Sequence, residues 1–414
     1  MQEQSKYAVG IDIGTTTVRC VVGHIDPTTG TPTIVGVGQA DNSGMRKGSV
    51  VNLNGPANAI DQALGEAERM SGYEVNEASI SINGAHIVST KADGMIAVGM
   101  ADHEITNDDL ARIEEVATTG KVPANREILE VVPFSYTLDG QGGIKDPIGM
   151  NGTRLEISAN VVSAMGPYVG NLEKASEMAT VATNTVVPSV MAAAKAVLTE
   201  SQIESGVAVV DMGGATTGVA VFEEGDLQYV GVIPVGGANI TNDLAIGLKT
   251  DPAIAEQVKV AHASALVRKE SEGVSVKHEK EILSFNTQDI DEIVEARLEE
   301  IFEAVQHELK KAGRAGQLPS GIVLTGGAAR MKGIAEYAKE QLGLAVRVGK
   351  PAGFGGVADH IDEPQFAAAV GLMLIDAEDA TRPARGAKHP GQNTKQLAKN
   401  AGGILRGIFG KFKA

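Results

Sequence analysis

The chain contains no tryptophan, a single cysteine and only 3% aromatic residues among 414. Each shortage excludes something. With few rings to stack on bases and a formal net charge of −16, the protein offers nucleic acid neither a platform nor an attractive field, so no nucleic-acid partner is expected. One cysteine forbids an internal disulfide. Cys20 stands in the apolar run VRCVVG and reads as a buried structural thiol, which suits a reducing cytosol. No stretch approaches the roughly 18 apolar residues of a membrane span, and the opening MQEQSKY lacks the basic and apolar regions of a signal peptide. Neither a spanning segment nor export is expected.

Glycine is what the chain has in quantity. Fifty glycines without a triplet period argue for tight turns and close backbone approaches in a globular protein of about two to four domains. Charge is unevenly spread: residues 382–414 carry eight Lys/Arg and no Asp/Glu, which leaves −24 on everything before them.

Two glycine-bearing turns repeat one design. YAVGIDIGTTTVRCVVG reads as strand, turn, strand, and the backbone N–H groups of Gly14, Thr15, Thr16 and Thr17, with the threonine hydroxyls, can cradle a phosphate. Asp12 could hold a hydrated divalent cation beside it. Alone, this is equally an ordinary hairpin. GVAVVDMGGATTGVAVFEEGDLQYVGVIPVGG then repeats it, with Asp211 before the turn Gly213, Gly214, Ala215, Thr216 and Thr217. Two such hairpins facing one another from similar subdomains would clamp the phosphates of one nucleotide, with both carboxylates reaching a single magnesium through water. A third stretch, GIVLTGGAARMKGIAEYAKEQLG, reads as a strand, the turn Gly326, Gly327 and Ala328, and a helix carrying Met331, where a base or ribose could approach the backbone. The order of these parts excludes a Rossmann dinucleotide site, whose glycine fingerprint would follow the first strand.

This order resembles that of the actin, Hsp70 and sugar-kinase superfamily. Within it, ILEVVPFSYTLDGQGGIKDPIGMNGTRLE at 128–156, SGMRKGSVVNL at 43–53 and GIVLTGGAARMKG at 321–333 are similar to FtsA, the actin-like bacterial cell-division family. The resemblance implies an α/β actin-like ATPase fold of duplicated ribonuclease-H-like subdomains, with nucleotide in the cleft between them and a C-terminal amphipathic helix. It implies subdomain 1A at 1–84 and 162–200, 1C at 85–161, 2A at 201–245 and 318–379, 2B at 246–317, a flexible linker at 380–401 and the helix at 402–414. The cofactors implied are ATP and Mg2+. Gly236, Gly237 and Asn239 would lie against sugar and phosphates, and Glu256 with Lys259 against ribose and adenine, although by spacing alone that pair could be a solvent ion pair.

Partners follow from the same likeness: self-association into filaments on the cytoplasmic face of the cell membrane at the division site, the C-terminal peptide of FtsZ on subdomain 2B with Arg297 as a candidate contact, and other division proteins through 1C. The chain departs from the superfamily where a Glu or Gln would orient the attacking water. Here TVVPSVMAAAKAV places Ser189 nearest that position, so hydrolysis is expected to be slow. A pilus-assembly actin homologue or a small-molecule kinase of the superfamily is the alternative. No motif announces a kinase substrate pocket, and a pilus homologue has no need of the basic ending.

That ending, GGILRGIFGKFKA, holds two of the eight phenylalanines. As a helix it would gather Ile404, Leu405, Ile408, Phe409 and Phe412 on one face and set Arg406, Lys411 and Lys413 on the rest, the pattern of a helix lying at an anionic membrane surface. Gly407 and Gly410 weaken it by about 1 kcal/mol each, so it should fold only on lipid. One copy should bind weakly, and copies aligned in a filament should bind firmly.

Overall fold

The structure, a computed structural model, describes residues 6–99, 103–278, 281–356 and 361–381. It is built on one sheet topology used twice. The first instance begins with an antiparallel meander, β1 (Lys6–Ile13), β2 (Thr17–Ile25) and β3 (Pro32–Asp41), whose Val, Ile and Ala side chains are buried almost without interruption. A small hairpin, β4 (Met45–Arg46) and β5 (Ser49–Val50), and helix α1 (Asn54–Ser71) lead to β6 (Glu77–Ile82), which pairs parallel to β1.

An insert follows: β7 (Val88–Ala97), α2 (Asn107–Thr118), β8 (Arg126–Leu138), β9 (Gln141–Ile144) and β10 (Arg154–Met165), in a separate antiparallel sheet of order β7-β10-β8-β9. Thr106 caps α2. Its Oγ1 accepts the Asp109 N–H, and the Asp109 carboxylate accepts the Thr106 N–H in return, so Asp serves where Glu is usual. The chain then returns through α3 (Gly166–Met178) to β11 (Ala182–Pro188), parallel to β6, and enters α4 (Ser189–Val197) and α5 (Glu200–Ser205).

The second instance repeats the first. β12 (Val207–Met212), β13 (Thr217–Glu223) and β14 (Asp226–Ile233) form the meander. After α6 (Gly237–Gly247), α7 (Pro252–His262), the hairpin of β15 (Gly273–His278) and β16 (Glu281–Asn286), and the long α8 (Thr287–Lys311), β17 (Ile322–Thr325) pairs parallel to β12. α9 (Ile334–Leu342) and β18 (Val346–Val348) complete the sheet, and α10 (Ala367–Thr381) ends the described chain. The orders β3-β2-β1-β6-β11 and β14-β13-β12-β17-β18 are the same pattern. α8 buries an apolar stripe at helical spacing: Ile290, Val294, Leu298, Ile301, Phe302, Val305 and Leu309 are buried, with a row of exposed glutamates opposite and Ile293 half-buried at the margin.

Two helices join the halves. α4 packs on both β12 and α10, and α10 packs on β1, β2 and β6. Ala367 to Ala377 are buried on every side of α10, as expected of a helix with no solvent face. Asp376 makes this tolerable, since its carboxylate accepts from the Val9 N–H, Ser79 and Asn184. The insert touches the second sheet as well: Ser89 exchanges hydrogen bonds with the Val230 backbone, and Lys145 pairs with Asp226. No described helix is long and apolar enough to cross a membrane.

Candidate functional site

The two Asp-x-Gly turns are built alike because their closing residues are alike. β1 and β12 each end one residue beyond an aspartate, and each turn is closed by its glycine: Gly14 N–H to the Thr17 carbonyl at 3.2 Å, Gly213 N–H to the Thr216 carbonyl at 2.9 Å. The turns meet. Thr16 lies so close to Gly214 that a Cβ there would come within 2.6 Å of the threonine hydroxyl oxygen. Between them opens a cleft of ≈490 Å3, lined by Asp12, Gly14 to Thr17, Asp211, Gly213, Gly214 and Thr216, and on its far wall by Gly326, Gly327 and Ala328. It continues past Gly237, Lys259 and Ala328 into a second cavity of ≈330 Å3 bounded by Ile240 and Met331.

Charge is concentrated at the floor. Burial pushes the Asp12 carboxyl above the ordinary carboxylate range, against the opposing pull of a hydrogen bond from Ser81 at 2.8 Å and of Arg19. Burial, reinforced by the charge of Asp12, pushes Asp211 up to about 6. Ser189, the first residue of α4, donates to Asp211 at 2.9 Å and accepts from the Asn83 amide at 3.0 Å. Its proton is therefore already engaged, and what it offers a water is an acceptor lone pair. Arg19 stands opposite Asp12 in the β1–β2 register, and its buried Nε has no hydrogen-bond partner among the described residues. Burial lowers its pKa, with the two aspartates opposing that effect. Arg330 also lines the cleft, 3.4 Å from Glu363.

Several residues expected at the site have other employment. Thr217 is fully buried, with its hydroxyl donating to the Val235 carbonyl, and Ala215 does not line the cleft. Asn239 accepts the Gly236 N–H and so caps α6, while the Gly237 and Ala238 N–H groups bind the Gly213 and Gly214 carbonyls. That ties the first turn of α6 to the second glycine turn; of Gly236, Gly237 and Asn239, only Gly237 lines the cleft. Met331 is not on a helix. A short 3-10 turn, Gly327–Arg330, precedes it, and Gly333, at φ +76°, redirects the chain before α9 starts. The glycine stops the helix from reaching back to Met331, whose backbone is extended.

Glu256 and Lys259 do pair, at 2.7 Å, but not as a solvent pair: Lys259 also donates to Thr241 and the Gly237 carbonyl, bracing α7 on α6 at the rim between the cavities. Arg297 sits on α8 with its guanidinium held by Asp243 at 2.6 and 3.0 Å and by Glu300. That occupancy leaves it a brace between α6 and α8. The anchor residues Ile404, Leu405, Arg406, Ile408, Phe409, Lys411, Phe412 and Lys413 lie outside the described residues. So does the expected linker, apart from Ala380 and Thr381, which complete α10.

Arg19, Asn83, Arg330 and Gln365 line the cleft without having been singled out by motif. For Arg19 a signal existed. In a two-stranded hairpin, residues equidistant from the turn share a face, so Arg19 had to accompany Asp12. Asn83 comes from a loop position that no local pattern marks, and Arg330 ends the 3-10 turn that follows the third glycine site.

The floor thus combines backbone donors, two carboxylates that ionise reluctantly and a half-buried arginine whose enclosed Nε has no partner among the described residues. The carboxylates would gain from a divalent cation, the donors from an anion. A family model described as Cell division protein FtsA matches residues 208–371, and one described as SHS2 domain inserted in FTSA matches 84–163. The Cell division protein FtsA of Pseudomonas aeruginosa is 35% identical over 376 residues, spanning 90% of this chain and 89% of the relative. Among solved structures, the PilM-PilN type IV pilus biogenesis complex superposes with a TM-score of 0.65 at 16% identity, covering 89% of this chain and 98% of that one. MreB 5 of Spiroplasma citri bound to AMPPNP does so at 0.55 and 12%, covering 91% and 98%. These place the fold in the actin-like class.

Proposed function

The chain belongs to the FtsA family of cell-division proteins, and from that premise we propose that it binds ATP with magnesium in the cleft, assembles into filaments, and attaches FtsZ filaments to the cytoplasmic face of the membrane. The observation that carries the nucleotide reading is the pair of facing Asp-x-Gly turns over Arg19, whose enclosed Nε has no hydrogen-bond partner among the described residues. Asp12 and Asp211 would hold the cation through water and the turn amides would hold phosphates. Magnesium bound there would screen phosphate charge. Base and ribose belong toward Lys259, Gly327 and Met331, where the second cavity opens. In this reading subdomains 1A and 2A (1–84 with 162–200, and 201–245 with 318–379) carry the two sheets, 1C (85–161) offers a face to other division proteins, and 2B (246–317) offers one to the FtsZ peptide. Hydrolysis is slow because Ser189 cannot act as a base at neutral pH.

Arg19 tests the phosphate end. Arg19→Gln should weaken ATP binding about 10- to 100-fold, the worth of one charge-assisted contact of about 1.5 to 3 kcal/mol, and leave adenosine binding within about twofold. Isothermal titration with the two ligands reads this directly; equal losses for both would remove Arg19 from the phosphate site.

The anchor is tested by co-sedimentation with anionic-lipid vesicles, comparing the full chain with one ending at Asn400. A single tail gains a few kcal/mol from its apolar face and about 1 per basic residue, mostly offset by ordering. Alignment in a filament adds roughly two to four decades. Full-length protein should therefore pellet with vesicles far more strongly with ATP than without, and the shortened chain should not pellet. Equal pelleting of both would refute the anchor.

A further inference from the structure

The insert is rooted in the first half and bonded to the second. Its base is fixed by Arg126 at the start of β8, whose guanidinium donates to the His86 carbonyl at 2.5 Å and the Ser163 carbonyl at 2.8 Å, and by the His86 ring, stacked on Tyr168 of α3 with centroids 4.3 Å apart. α3 packs on α1 and β11, so this base moves with the first sheet. On its other side the insert meets β14, the outer strand of the second sheet. Ser89 Oγ accepts the Val230 N–H at 3.0 Å and donates to the Val230 carbonyl at 3.2 Å, and the buried Asn160 amide donates to the Leu227 carbonyl at 3.3 Å. Lys145 donates to the Glu224 carbonyl at 3.1 Å and pairs with the Asp226 carboxylate. Side chains of the insert thus stand where a further strand would, on backbone groups that an outer strand leaves open. Leu129, Val132 and Val162 of the insert share one buried apolar cluster with Leu227 and Val230, and a dry setting strengthens the bonds beside it.

That second attachment constrains the cleft. The halves are joined by α4 and α10, and α4 packs on β12 and β13, whereas β14 lies one strand farther out. A turn of one half against the other about these helices displaces an outer strand more than the inner ones, so it must slide β14 along the insert and break the bonds at Ser89, Asn160 and Lys145. The two glycine turns sit on opposite halves and part only through such a turn. We propose that the insert is a clasp between the halves, and that its hold on β14 sets how fast the cleft opens to admit or release a nucleotide. This rests on the cleft being the nucleotide site. A gate of this kind slows entry and exit alike, because both pass through the same open form. Loosening it raises both rates and leaves affinity nearly unchanged, which separates a gate from a contact with the ligand.

The test is stopped-flow fluorescence on the full-length protein with magnesium and an N-methylanthraniloyl derivative of ATP, chased with unlabelled ATP to read release. Ser89→Ala combined with Lys145→Met removes the hydroxyl and the ammonium from the contact. Association and dissociation should each become about tenfold faster, with Kd held within about threefold. A second variant fastens the clasp instead: Lys145→Cys with Asp226→Cys, joined by a short bis-maleimide, should release nucleotide at least about tenfold more slowly than the same protein with its two cysteines capped singly. Cys20 is fully buried and its thiol is held protonated by that burial, so it takes no part in the coupling. Unchanged rates in both proteins overturn the clasp and leave the cleft assignment standing. So does a Ser89→Ala, Lys145→Met protein that binds more weakly with association unaltered or slowed, since that marks a brace of the folded state and not a gate. Absence of any nucleotide binding by the unaltered protein would instead overturn the cleft assignment, and the clasp with it.

Discussion

Asp211→Asn is expected to raise the stability of the nucleotide-free protein while stripping it of magnesium-dependent nucleotide binding. The physical cause is the environment of the carboxylate: burial and the neighbouring Asp12 charge push Asp211 up to about 6 from its ordinary 3.8. A folded-state value above the unfolded one means that the native protein binds the proton more tightly. Its contribution to stability is therefore present in full below about pH 4 and is lost as pH rises toward about 6. At neutral pH the ionised side chain is a cost of on the order of 1 to 3 kcal/mol, which a neutral amide removes while still accepting from Ser189. The same ionised form is what a divalent cation needs, so the magnesium-dependent part of nucleotide affinity should grow across pH 6 in the native protein and be flat in the variant. Thermal melts without ligand and titrations at about pH 5.5 and 7.5 check both signs. A variant that melts lower than the native protein would show that Asp211 is not held at a cost.

The second large effect lies far from any charge. Gly371 is in the middle of α10, where α10 crosses α4, and a Cβ there would stand 1.7 Å from the Ala192 carbonyl oxygen and 2.4 Å from its carbon. Both are backbone atoms, so no rotamer change relieves the clash and the helices must separate. Alanine in place of an interior helical glycine ordinarily stabilises by about 0.5 to 1 kcal/mol. Gly371→Ala should do the opposite, losing about 2 to 3 kcal/mol, and Gly371→Val should lose more. Gly170 in α3 is the internal control: nothing lies within 4 Å of its would-be Cβ, and Gly170→Ala should gain the ordinary amount. Urea melts of the three variants measure the differences. Because Ala368 in the first turn of α10, and Pro364 and Gln365 in the short 3-10 turn just before it, line the cleft, the same substitution at Gly371 should also weaken nucleotide binding.

Much of the site was legible because its parts are local. A buried strand, an aspartate, a glycine and a threonine within six residues specify a turn by short-range sterics and hydrogen bonds, and seeing the pattern twice made accident a poor account of it. The stripe of α8 and the Thr106 cap were legible for the same reason. Partners distant in the chain are what local pattern does not reveal. Thr217 ends the motif, and its hydroxyl is taken by Val235. Arg297, a candidate peptide contact by sequence, is held by Asp243, 54 positions away. Met331 precedes the helix, whose start Gly333 delays.

What the amino-acid order determined by itself is therefore the set of pieces: two equivalent Asp-x-Gly hairpins, a third glycine turn, an amphipathic α8 and a basic tail distinct from an acidic body. Periodicity, turn chemistry and charge content act over a few residues and need no knowledge of the rest. Only the tertiary structure decided which pieces meet. It set the two turns face to face, packed α10 on the first sheet and α4 between α10 and the second, enclosed the Arg19 Nε without a partner among the described residues, and raised Asp211 by enclosing it beside Asp12. Desolvation and the pairing of remote groups depend on how the halves close over one another, and closure is a property of the assembled core rather than of any segment in it.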